Sequence, residues 1–92
     1  MPTYLIETPH TEEECRIAGE EWLTMVHSRK QEIFDATYAG CESGVHDGWV
    51  VAEFPDEAQA WEVIPPTERP RARVVEVKQY TFDEMQKAHG EV

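Results

Sequence analysis

Apolar and polar positions along the chain switch between two periods, and most of the switches fall at proline or glycine. Thr3 to Thr8 (TYLIET) alternates with period two. Tyr4, Ile6 and Thr8 share one side and Leu5 and Glu7 the other, as in a half-buried strand. Pro9 ends the run. Thr11 then suits a helix N-cap, and Glu14, three residues on, completes a capping box. The carboxylates of Glu12, Glu13 and Glu14 match the positive end of the helix dipole. Cys15, Ala18, Trp22, Met25 and Val26 form one apolar stripe, which predicts a helix to about His27. Arg29 and Lys30 lie near its exit, where basic residues are favoured.

Ile33 to Cys41 (IFDATYAGC) reads as a second strand, and Glu42 to Gly48 as a glycine-bearing turn. Trp49 to Phe54 (WVVAEF) reads as a third strand, so the two strands make a hairpin with a long loop. Asp56 caps a second helix carrying Ala58, Ala60, Trp61 and Ile64, which Pro65-Pro66 stops. Ala72 to Thr81 reads as a fourth strand and Phe82 to His89 as a short terminal helix; His27 and His89, near helix ends, read as surface residues.

The predicted order is β-α-β-β-α-β plus a tail helix, within one domain spanning residues 1–92. This is an α+β, ferredoxin-like arrangement, a four-stranded antiparallel sheet with two helices on one face. Right-handed crossovers place the third strand between the first and second, and the fourth beside the first. Strict alternation puts Tyr4, Ile6, Phe34, Ala36, Tyr38, Val50, Ala52, Phe54, Val75 and Val77 under the helices. The opposite face then collects Leu5, Glu7, Asp35, Thr37, Trp49, Val51, Glu53, Val74, Glu76 and Lys78. A face this apolar calls for a partner, and a homodimer packed sheet to sheet is expected.

Composition narrows the function. Nineteen Asp and Glu against eight Lys and Arg give a net charge of −11. That balance argues against a phosphate-backbone footprint, so no nucleic-acid partner is expected. It equally disfavours an anionic membrane surface, and no apolar run approaches a membrane span of about 20 residues. The first ten residues lack a basic segment followed by an apolar one, so a cytoplasmic protein is expected. Two cysteines are too few for a disulfide framework.

Those cysteines belong to the sharpest chemical pattern in the chain. Four residues separate His10 from Cys15, and four separate Cys41 from His46. In the predicted topology all four map to one end of the sheet. Two thiolates and two imidazoles suit a borderline-soft ion such as zinc, nickel or copper, with Glu14, Glu42 or Asp47 near enough in sequence to orient an imidazole. Plainer readings stand beside this one. Cys15 and Cys41 serve equally as small core residues, and His10 and His46 as loop residues. A Cys15–Cys41 disulfide, or a Cys15 thiolate at a helix N-terminus with a histidine base, are further options, the acidic first turn opposing the latter.

A second candidate is a cleft on the open face lined by Glu7, Trp49, Glu53 and Glu76. Converging carboxylates there would raise one pKa and supply a base for isomerase, lyase or monooxygenase chemistry on a hydrophobic organic substrate. A third reading is a structural dimerisation module with no cofactor.

The strand order and the phrase Gly48 to Trp61 (GWVVAEFPDEAQAW) resemble the dimeric α+β barrel superfamily, in particular its small YciI-like and nickel-binding-like members. The resemblance implies a ferredoxin-like homodimer. It extends to a superfamily of cofactor-free monooxygenases, small isomerases and lyases, haem-degrading enzymes and proteins of unknown role.

Overall fold

The computed structural model describes residues 1–25 and 28–89. Strand β1 (Thr3–Glu7) leads into α1 (Glu12–Thr24), followed by α2 (Lys30–Asp35) and β2 (Thr37–Ala39). A 3₁₀ turn at Cys41–Ser43 precedes β3 (Gly48–Glu53) and α3 (Glu57–Glu62). A second 3₁₀ turn at Arg69–Arg71 precedes β4 (Arg73–Val77), and α4 (Phe82–His89) ends the described chain. The fold is α+β, with one four-stranded antiparallel sheet in the order β2-β3-β1-β4. Among the described residues no helix is long and apolar enough to cross a membrane.

The α1 cap forms as its sequence dictates. Thr11 Oγ1 accepts from the Glu14 N–H at 3.1 Å, and Glu14 Oε1 accepts from the Thr11 N–H at 2.9 Å. The described helix ends at Thr24, and Val26 and His27 lie outside the described residues. Asp56 caps α3 by accepting from the Gln59 N–H at 2.9 Å. The core lies between the sheet and the helices, with Phe54, Ile6, Ile33 and Ile64 its largest fully buried side chains.

Two features depart from strict alternation. Residues 33–35, expected in the second strand, are helical instead. Arg29 anchors this turn: its guanidinium binds Glu32, donates to the Glu53 carbonyl at 2.6 Å and lies 4.9 Å from the Phe54 ring centroid. Ile33 is thereby fully buried, while Phe34 stays exposed and stacks on Trp22 with ring centroids 6.0 Å apart. A short apolar run does not by itself separate strand from helix, and here lateral contacts of Arg29 favour the helix.

The second departure is register. Directly opposed residues of an antiparallel pair share a face. Tyr4 faces Glu76 and Leu5 faces Val75, so Val74 and Glu76 belong to the helix-covered side and Val75 and Val77 to the open side. Thr37 faces Val50 and Tyr38 faces Trp49, which likewise moves Thr37 inward and Tyr38 outward. The assignment of β2 and β4 by sequence alternation was therefore one residue out, a slip that exchanges every side chain between faces. The open face consequently presents Leu5, Tyr38, Trp49, Val51, Val75 and Val77, with Tyr38 76% and Val51 55% exposed.

Candidate metal centre

His10, Cys15, Cys41 and His46 meet at one end of the sheet, and one potential ligand atom from each lies within 4.8 Å of all the others. Four separate segments deliver them. His10 follows the turn at Pro9, its N–H donating to the His46 carbonyl at 3.1 Å and so tying the β1–α1 loop to the loop before β3. Cys15 sits in the first turn of α1, its N–H bound to the Thr11 carbonyl at 3.0 Å. Cys41 opens the 3₁₀ turn, and the loop closes behind it through Val45 N–H to the Gly40 carbonyl at 3.0 Å and Gly40 N–H to the Asp47 carbonyl at 3.1 Å.

That closure depends on two glycines. Gly44 ends the 3₁₀ turn with φ +88°, a left-handed conformation that side-chain-bearing residues adopt at a cost. At Gly40 a Cβ would lie 2.8 Å from the Val45 carbonyl oxygen, so the loop could not fold back as tightly.

Within the cluster Cys15 Sγ lies 3.3 Å from Cys41 Sγ, and Cys41 Sγ lies 3.6 Å from His10 Nε2. Both cysteines are free thiols. Around tetrahedral zinc, with bonds of about 2.3 Å to sulfur and 2.0–2.1 Å to nitrogen, two sulfurs stand about 3.8 Å apart and a sulfur and a nitrogen about 3.6 Å. The Cys41–His10 pair matches its value, the two sulfurs would part by about 0.5 Å, and no pair of the four ligand atoms exceeds 4.8 Å. The cluster is one that could hold a metal ion.

His10 is held for such a role. Its Nδ1 stands 2.9 Å from both the Thr8 carbonyl and Glu68 Oε2, and its side chain is only 6% exposed. An Nδ1–H directed at those acceptors leaves the Nε2 lone pair facing Cys41. A carboxylate behind an imidazole is the usual orienting device for a metal-binding histidine. His46 adds a complementary feature: its Nδ1 is buried and has no hydrogen-bond partner among the described residues.

The orienting carboxylate is Glu68 rather than any of the acids near the cluster in sequence. Glu14 is engaged by the Thr11 N–H and by Arg71. Asp47 accepts from the Gly48 N–H at 2.8 Å, and Glu42 is exposed. Glu68 lies 58 positions beyond His10, in a proline-rich connection whose local pattern carries no sign of a site. Burial pushes its carboxyl upward, against the opposing influence of His10. The Cys15 thiol is also raised, chiefly by its hydrogen bond with Cys41 and then by burial, which disfavours a free thiolate nucleophile.

The carboxylates proposed for an open-face cleft do not converge. Glu76 stands on the opposite face, opposed to Tyr4. Glu7 pairs with Trp49, while Glu53 pairs with Thr3 at the other end of the same ladder. Four residues of strand, about 13 Å, separate those ends. Glu7 instead interacts with Asp47, whose carboxyl is raised by burial and by that contact, and lies 3.9 Å from Arg73 Nε.

No protein-family model, curated protein or solved structure matches this chain.

Proposed function

We propose that this protein binds one transition-metal ion per chain through His10, Cys15, Cys41 and His46, with zinc the favoured ion. The observation that carries the reading is the mutual proximity of four ligand atoms from four segments, within 4.8 Å. The Cys₂His₂ donor set and its four-fold count suit a tetrahedral zinc site, whereas copper(II) and nickel(II) favour tetragonal nitrogen and oxygen ligands. All four positions being protein ligands, the ion would brace the fold, tying β1, α1 and the loop before β3 together.

The fold is read here as ferredoxin-like, and the apolar open face as the surface through which two copies pair. The exposure of Tyr38 and Val51 on that face supports the pairing. Titration of the reduced, metal-free protein with zinc tests the metal reading, using cobalt as a spectroscopic substitute. One equivalent should bind, with thiolate-to-cobalt charge transfer, and Cys15→Ser and Cys41→Ser should each weaken binding by orders of magnitude. Unchanged binding in both variants would sink the site.

A further inference from the structure

An apolar cavity of about 220 Å³ lies between α1 and the sheet, directly against the His/Cys cluster. Small residues create it. Ala18 and Gly19 line it from α1, Ala39 and Gly48 from the sheet, and a Cβ at Gly19 would meet nothing within 4 Å. The stacked pair Trp22 and Phe34 forms part of its wall, and Phe34 is 49% exposed, so the cavity meets solvent there. His10, Cys15, Cys41 and Glu68 make up its polar end.

An apolar body with one polar end is the form of a small-molecule site, and apolar space is costly to leave empty. An apolar cavity of about 150 Å³ already admits benzene. We propose that this cavity binds a one- or two-ring aromatic molecule bearing a single hydrogen-bond donor, its ring between Trp22 and Val50 and its donor directed at the Cys15 and Cys41 sulfurs, which the bound ion would hold as thiolates. The donor half rests on the metal reading above. The cavity half does not, because Ala18, Trp22 and Val50 are no part of the ion's ligand set.

The test uses the full chain loaded with cobalt, with phenol and benzene as probes. The signals are the cobalt spectrum and NMR shifts of the Ala18, Val50 and Val63 methyls. Phenol should shift those methyls and alter the charge-transfer absorption, while benzene should shift the methyls alone. Ala18→Leu fills the space and should weaken phenol binding at least ten-fold with the cobalt spectrum unchanged. If that variant does not fold, Ala39→Val fills the cavity from the sheet side. An intact cobalt spectrum with no methyl shift at millimolar probe overturns the cavity and leaves the metal reading standing. Methyl shifts without any cobalt spectrum support the cavity and overturn the metal reading instead.

Discussion

At the scale of single residues, the proposed site depends most on how His10 is held. Glu68 and the Thr8 carbonyl both face its Nδ1, so Glu68→Gln keeps the shape but weakens the orienting acceptor. Zinc affinity should fall about 10–100-fold, the usual cost of losing such a partner, with the circular dichroism of the protein unchanged. A competition titration against a chromophoric chelator measures this. The raised Cys15 thiol makes the affinity pH-dependent, since the metal must displace its proton. Below the thiol's pKa, affinity should drop about ten-fold per pH unit for each thiol proton released, and titrations at three pH values would give the slope. The four residues of the cluster were legible in the sequence because each lies at or near an element boundary, and topology sends those boundaries to one end of the sheet. Glu68 was not, because nothing in the residues around it distinguishes a carboxylate turned inward from one left in solvent.

At the scale of elements, the short ones carry the most consequence. Ile33 is fully buried in α2, so Ile33→Ala should cost about 2–5 kcal/mol, read as a lowered urea midpoint. In a small domain that is a large share of total stability. Glu32 pairs with Arg29, which holds its carboxyl below the usual value of 4.5. A lowered folded-state pKa contributes stability above pH 4.5 that is lost as pH falls through the lower folded value. The destabilisation by Glu32→Gln should therefore be small at pH 7 and vanish in acid, as thermal melts at the two pH values would show. Period and capping together made α1, β1 and β3 readable, because each has a long pattern or a strong boundary. The second strand was misread because Ile33 to Ala39 fits a period-two template by residue type, while Arg29 contacts across the fold decide its conformation. The face of β4 was misread because the alternation Val75, Glu76, Val77 suggests a parity opposite to the observed one. Pairing with β1 supplies it.

At the scale of the whole molecule, the radius of gyration is 15.4 Å, against about 12 Å for a compact domain of this length. Helix α4 contributes to this, since all its residues are exposed, Phe82 by 78% and Met85 by 45%. The open sheet face adds further uncovered apolar area. If two copies pair through that face, Val51→Glu should convert dimer to monomer by light scattering, with metal stoichiometry retained. A bracing ion should also stabilise the fold as a whole. At a hundredfold excess over its dissociation constant a ligand contributes about 2.7 kcal/mol, which in a domain this small raises Tm by about 10–20 °C. A chelator should reverse that shift. The most direct measurement is X-ray absorption at the zinc edge on stoichiometrically loaded, reduced protein. Zinc held by His10, Cys15, Cys41 and His46 should show two sulfur neighbours at about 2.3 Å and two nitrogen neighbours at about 2.0–2.1 Å. A shell of oxygen and nitrogen alone, or failure to retain one zinc per chain, would contradict that ligand set.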